Sequence, residues 1–237
     1  MSDHIYINKK IKSFNKKIGI SSDKSISIRA VLLASQAVGT SELTNLLESE
    51  DVMNALKIIK TLGINYTKQS NKYKIYGFGL NNFNIKKNTT INAGNSGTLA
   101  RLILGLLVKS KFKVKLVGDK SLSKRDFYRV IKPLKLLGAN IKSKNNLLPI
   151  EILGTDFLRP INYEEKIGSA QVKSCIILGA LNSPGITTIN SKASRNHTEL
   201  MLKFLKYPIK VRKLNGSYKI SIKGQKQFRA FKYKIPG

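Results

Sequence analysis

Tryptophan is missing from this chain of 237 residues, cysteine occurs once and histidine twice. A lone Cys175 cannot close a disulfide within the chain. With only His4 and His197 beside it, no cluster of zinc- or iron-type ligands forms along the sequence. No metal and no cofactor is expected. Long apolar runs are lacking too: the longest, Leu102 to Val108, falls far short of the roughly 18 to 20 residues of a membrane-spanning helix. Met1 to Lys17 scatter charges where a secretion signal would need an apolar stretch, so a cytoplasmic protein is expected. Acidic residues are scarce, 13 against 43 basic ones, and the formal net charge is +30. That surplus admits a nucleic-acid partner. However, 35 of the basic residues are Lys, spread along the whole length, and 8 are Arg. There is no dense basic tail, zinc-finger spacing or aromatic string of the kind that stacks RNA bases. A small anionic ligand suits the same charge, and nucleic acid is not the expected partner.

What is present is a repeat. The hydrophobic content of 41% is enough to bury a sizeable core. Three segments share one order: a small or polar cluster, an apolar helix, a β-rich stretch, an amphipathic helix and a strand pair ending in Gly. The spacing predicts first helices over Ser27–Val38, Thr98–Val108 and Val172–Leu181. Second helices should close at Leu62-Gly63, Leu137-Gly138 and Tyr207-Pro208. Strands are expected at Lys113–Val117, Thr187–Ile189 and Lys219–Ile222. The closing glycines Gly77, Gly154 and Gly224 stand 77 and 70 residues apart, too long a period for a solenoid of about 20 to 50 residues. The fold class is α/β, with three βαβαββ units packed in pseudo-threefold symmetry.

Each first helix opens with groups suited to an anion. These are Asp23-Lys24-Ser25-Ile26-Ser27-Ile28-Arg29, Gly94-Asn95-Ser96-Gly97-Thr98 and Ser169-Ala170-Gln171. A helix N-terminus presents unpaired N–H groups and the positive end of its dipole. Any one such cluster also reads as an ordinary N-cap; three at equivalent points of a repeat point to one shared face. Five of the eight arginines, Arg29, Arg101, Arg125, Arg129 and Arg195, fall in or beside these segments, where a guanidinium fork can clamp carboxylate or phosphate. Arg101 and Arg129 lie inside helices and also admit structural ion pairs. Lys24 at a helix start is unfavourable unless an anion is bound there, which favours a functional role. No Ser–His–acid arrangement recommends covalent catalysis. Asn196 with Glu199 reads as a helix-capping pair.

These residues resemble the EPSP synthase family, the 3-phosphoshikimate 1-carboxyvinyltransferases, over nearly the whole chain. The resemblance is carried by five motifs in order. They are Asp23-Lys24-Ser25-Ile26-Ser27-x-Arg29; Gly94-Asn95-Ser96-Gly97-Thr98-x-x-Arg101; Gly118-Asp119 with Ser121-Leu122 and Lys124-Arg125; Ser169 to Ser174; and Ser194-Arg195-x-His197-Thr198-Glu199. It implies an inside-out α/β barrel domain and transfer of the carboxyvinyl group of phosphoenolpyruvate to the 5-hydroxyl of shikimate 3-phosphate. By that resemblance Lys24, Ser25 and Arg29 hold shikimate 3-phosphate, and Lys24, the catalytic candidate, also reaches phosphoenolpyruvate. Asn95, Gly97 and Arg125 line the phosphoenolpyruvate pocket. Gln171, preceded by Ala170, lies between the substrates, and Ser169 and Ser194 contact the shikimate phosphate.

Ser22, Ile28, Lys120, Asp126 and Asn196 depart from the family pattern. Members of the family are about twice as long, so the resemblance implies an N-terminal half. Residues 21–237 would form the shikimate 3-phosphate-binding domain, and 1–20 a strand segment of a second domain. That C-terminal domain, in cis or trans, would supply the proton-transferring carboxylate. The alternatives are a basic α/β nucleic-acid-binding module and a non-catalytic relic of the family.

Overall fold

A computed structural model describes residues 18–237, with positions 6, 8, 10, 13 and 15 before them. Of the segment 1–20 that the sequence assigns to a second domain, 12 positions, His4 among them, lie outside the described residues.

Two units run in full βαβαββ order. One comprises β4 (Thr89–Asn92), α3 (Gly97–Leu106), β5 (Val114–Val117), the short α4 (Lys120–Ser123), α5 (Tyr128–Leu137), β6 (Asn140–Ser143) and β7 (Ile150–Leu153). The other comprises β8 (Asn162–Glu165), α6 (Ala170–Ala180), β9 (Ile186–Lys192), α7 (His197–Phe204), β10 (Ile209–Leu214) and β11 (Ser217–Lys223). The remaining unit has α1 (Lys24–Ser35), β1 (Val38–Thr44), α2 (Glu50–Thr61), β2 (Tyr66–Gln69) and β3 (Lys72–Phe78). Its opening strand arrives from the far end of the chain as β12 (Lys232–Lys234), parallel to β1 with Glu42 opposite Lys232. Each unit therefore owns one four-stranded sheet: β12-β1-β3-β2, β4-β5-β7-β6 and β8-β9-β11-β10. The order is the same in all three, a parallel pair followed by two antiparallel neighbours.

Helices lie inside and sheets outside. In α1, Ile28 and Ala30 through Ala34 are at most 1% exposed, and α3 and α6 are buried almost as completely. A helix apolar all round belongs in a core. The strands alternate instead: Tyr73, Ile75 and Gly77 turn inward on β3, as do Ile220 and Ile222 on β11, with the less buried Lys74, Tyr76 and Ser221 between them. The three closing glycines have one explanation. A Cβ on Gly77 would meet the carbonyls of Ala34 and Ala37, and one on Gly224 those of Ala180 and Ser183. On Gly154 it would strike the backbone of Lys109 and Ser110. The last strand of each unit crosses the end of that unit's inner helix at backbone distance, which only glycine permits.

The inner helices start earlier than expected because their caps do. Asp23 accepts from the Ile26 N–H at 2.6 Å, Ser96 from Leu99 at 3.3 Å and Ser169 from Val172 at 3.4 Å. The first helix then ends at Ser35, leaving Val38 to open β1, and α3 passes into a 3-10 turn over Leu107–Lys109. The second helices close at Leu62-Gly63 and Leu137-Gly138, with Gly63 and Gly138 at φ of 89° and 114°. In the third unit α7 stops at Phe204, short of Tyr207-Pro208, because Lys206 takes the left-handed turn at φ 55°. The Asn196–Glu199 capping pair does not form. Asn196 precedes α7 but makes no side-chain cap bond, and Glu199 turns inward to Lys173, Oε1 to Nζ at 2.7 Å, both 3% exposed. A buried ammonium outcompetes an exposed cap for that carboxylate. No helix among the described residues is long and apolar enough to cross a membrane.

Candidate functional site

The N-terminal ends of α1, α3 and α6 converge on a cleft of about 250 Å³. Lys24 comes from the first residue of α1 and Asp51 from the first turn of α2. Asn95, Gly97 and Thr98 come from the opening of α3, Arg125 from the turn after α4, and Gln171 from the first turn of α6. The lining groups hold one another. Arg125 donates from Nη2 to Asn95 Oδ1 at 2.7 Å. Gln171 donates from Nε2 to Thr98 Oγ1 at 3.0 Å and accepts at Oε1 from Arg101 Nη1 at 3.0 Å. Arg101 also donates to the carbonyls of Gly97 and Asp126, and its guanidinium stacks 4.9 Å from the Phe127 ring centroid. Burial first, then Arg125 and Arg129, hold the Arg101 guanidinium below its ordinary value. Arg101 thus orients Gln171 and, among the described residues, forms no ion pair. A Cβ at Gly97 would lie 2.7 Å from Arg101 Nη1 and 3.0 Å from Arg125 Nη1, so a side chain there would displace the two guanidinium ends.

Lys24 finds its anion within the protein. Its Nζ lies 2.9 Å from Asp51 Oδ2. A bound anion is expected at this helix start; the structure supplies Asp51 instead, which along the chain reads as part of the usual acidic first turn of a helix. This pairing leaves Lys24 half-exposed at the cleft, with Arg125 as the second cation there.

A second cluster adjoins the cleft along α1. Arg29, 4% exposed, donates from Nε to Thr198 Oγ1 at 2.8 Å, from Nη2 to Ser174 Oγ at 3.1 Å and from Nη1 to the Ser25 carbonyl at 2.9 Å. Thr198 in turn donates to Ser174 at 2.8 Å. Burial lowers the Arg29 pKa to about 10, with Glu199 opposing and Arg195 reinforcing the shift; the group stays cationic at neutral pH. The turn carrying Ser169 is fixed by Glu165, whose carboxylate accepts from the N–H groups of Gly168 at 2.7 Å and Ser169 at 2.9 Å. That turn packs on the loop carrying Ser194, since a Cβ on Gly168 would sit 3.1 Å from the Ala193 carbonyl. Ser194 Oγ and His197 Nδ1 are buried without a hydrogen-bond partner among the described residues. Buried polar atoms of this kind are costly unless a ligand or water meets them.

The family model of EPSP synthase (3-phosphoshikimate 1-carboxyvinyltransferase) matches residues 8–237. The chain belongs to the EPSP synthase family. A 3-phosphoshikimate 1-carboxyvinyltransferase from Ruthia magnifica subsp. Calyptogena magnifica is 41% identical over 232 residues, covering 98% of this chain and 52% of that protein. One from Vesicomyosocius okutanii subsp. Calyptogena okutanii is 43% identical over 218 residues, covering 92% and 49%. A solved EPSP synthase from Acinetobacter baumannii superposes with a TM-score of 0.85 at 33% identity, covering 93% of this chain and 49% of that one. The chain spans about half the length of the relatives it matches.

Within this EPSP synthase fold, five sequence candidates line the cleft together: Lys24, Asn95, Gly97, Arg125 and Gln171. Ser25, Arg29, Ser169, Ala170 and Ser194 do not line it. Ser169 and Ala170 open α6, but Ser194 lies in the loop before α7 and not at a helix start. Arg29 is under the surface, with Nε, Nη1 and Nη2 each already bonded. Several of the departures are absorbed quietly. Ser22 keeps a negative φ, so its turn does not need glycine. Ile28 is fully buried in the core, and Asp126 accepts from the Tyr128 N–H at 2.8 Å. Asp51, Thr98, Ser174 and Thr198 were missed as partners. Their types are ordinary for helices, and only the packing of α2 on α1, of α3 on α6 and of α7 on α1 and α6 gives them a role.

Proposed function

We propose that this chain supplies one wall of a carboxyvinyl-transfer site and binds shikimate 3-phosphate and phosphoenolpyruvate. In that reaction the 5-hydroxyl of shikimate 3-phosphate gives up its proton as its oxygen bonds to C2 of phosphoenolpyruvate, whose methylene carbon gains a proton. Loss of that proton then re-forms the double bond and expels inorganic phosphate. The observation that carries the reading is the convergence of three helix N-termini with Lys24 and Arg125 on one polar cleft. Two polyanions repel each other in water, and fixed N–H dipoles and cations offset that repulsion while aligning the reacting atoms.

Lys24 holds shikimate 3-phosphate and, with Arg125, also reaches phosphoenolpyruvate; Asn95 holds the Arg125 fork and bare Gly97 gives the ligand access to the backbone. Gln171, locked by Thr98 and Arg101, stands between the substrates. Ser169 and Ser194 meet the shikimate phosphate, with Ser25 beside them. Arg29 contributes its charge from below and orients the Ser25 carbonyl. The carboxylate lining the cleft, Asp51, is engaged by Lys24. We therefore assign the proton transfer, and the opposing wall, to a second domain in cis or trans, working in the cytoplasm.

Calorimetry on the 237-residue chain should show weak, saturable binding of shikimate 3-phosphate. Lys24→Met and Gln171→Ala should each weaken it by about tenfold, the loss of one charge-assisted contact. Both substrates together should release no phosphate. Affinity unchanged in both variants would put the site elsewhere, and turnover by this chain alone would overturn the two-wall reading.

A further inference from the structure

Away from the cleft, α5 and β8 flank a groove of about 490 Å³, a size within the range of roughly 300 to 1,000 Å³ that small ligands occupy. It shares no lining residue with the cleft. Tyr128 and Tyr163 give it aromatic walls, and Ile167 and Val172 add apolar surface. Tyr128 is 48% and Ile167 65% exposed, adjacent apolar surface that folding leaves in water.

The charges in the groove are unbalanced in a specific way. Arg129, Lys132 and Lys166 line it, and among the described residues none of them is ion-paired with a carboxylate. Its two carboxylates are already engaged. Glu165 accepts from the backbone N–H groups of Ile167, Gly168 and Ser169, and Glu164 accepts from the Asn190 amide. Lys132 sits over the Tyr128 ring, 5.9 Å from its centroid. Burial, then Glu165 and Tyr128, hold the Tyr163 phenol above its ordinary value, so its hydroxyl remains a donor at neutral pH.

Inorganic phosphate would satisfy the cations and leave both rings wet. An uncharged ring would cover the tyrosines and leave the cations without a partner. One ligand class uses everything present. We propose that this groove binds a small aromatic carboxylate, its ring against Tyr128 and Tyr163 and its carboxylate on the Arg129 fork with Lys132 or Lys166 beside it. Ring stacking and a bidentate guanidinium contact reinforce each other here because one rigid ligand supplies both. The proposal stands independently of how the cleft is read.

The probe is benzoate, titrated into the 237-residue chain and followed by amide NMR shifts, with acetate and inorganic phosphate as comparisons. Benzoate should saturate in the millimolar range, at least about fivefold tighter than either comparison, with shifts concentrated over 128–132 and 162–167. Arg129→Gln and Tyr163→Leu should each weaken it by about five- to tenfold, with Arg129→Lys intermediate because the charge remains without the fork. Lys24→Met, in the cleft, should leave it unchanged. Thermal melts confirm that each variant is folded, and Tyr128→Leu serves as the ring test if Tyr163→Leu does not fold. Equal affinity for benzoate and acetate would reduce the groove to a general anion surface and overturn the proposal. So would benzoate binding that Lys24→Met abolishes and Arg129→Gln spares.

Discussion

Burial holds the imidazole of His197 below its ordinary value; Arg29 and Arg195 push the same way, while Asp23 and Glu199 oppose them. The folded chain therefore takes up this proton less readily than the unfolded chain, whose imidazole titrates at its ordinary value of about 6.5. The stability tied to neutral His197 is fully present above that pH. It is lost as pH falls through the unfolded value and down to the lower folded one. Denaturant melts at several pH values between about 5 and 8 should show this acid-side loss, and His197→Gln should flatten it. An identical slope in wild type and variant would assign the loss to other groups. At this scale the sequence was informative about Lys24 and Gly97, whose chemistry is local. A cation at a helix start demands a partner, and a glycine beside two arginines leaves them room. It was silent about Asp51, whose role depends on where α2 docks.

Pairs of elements are locked by polar groups that look misplaced along the chain. Lys173 interrupts the apolar run of α6, and Glu199 looks like an N3 cap residue of α7; together they form an ion pair with both side chains 3% exposed. Breaking such a pair from one side leaves a buried charge without its partner and costs about 3 to 5 kcal/mol, whereas replacing both sides with apolar groups is often neutral. Urea melts should show Glu199→Gln strongly destabilised, and Lys173→Met combined with Glu199→Leu should recover most of the loss. A double variant as unstable as the single would mean that the pair is more than a charge match. The network Arg29–Thr198–Ser174 lies one residue away on both helices, so the pair also fixes the register in which α7 presents Thr198 to α1.

Over the whole molecule, the first unit is completed by the last strand. Val38 N–H donates to the Phe228 carbonyl at 2.9 Å, Glu42 to Phe231 at 2.8 Å, and Asp23 to Pro236 at 2.9 Å. The N-cap of α1, which positions Lys24, is thus held by the other end of the described chain. Removing 226–237 should uncover the edge of β1 and loosen α1, since an unpaired edge strand recruits other chains. Thermal melting should show a lower midpoint and light scattering more association than the full chain. Unchanged melting would mean that β12 decorates the sheet without closing it.

How much was legible follows from the range of each interaction. The sequence by itself determined the α/β class, the three units of about seventy residues, and the inner helices. Apolar periodicity and capping residues act within a few positions and leave their mark on the chain. It also placed four lining residues, Lys24, Asn95, Gly97 and Gln171, in three separate helix openings, because small and polar residues suit a helix start. Only the tertiary structure decided that β12 opens the first sheet, that Asp51 neutralises Lys24, and that Arg29 lies buried on Thr198 and Ser174. Those contacts join residues 27 to 190 positions apart. No local pattern encodes such a partner; it is selected by which apolar faces pack, and the polar groups at their margins then pair with whatever the packing brings within reach.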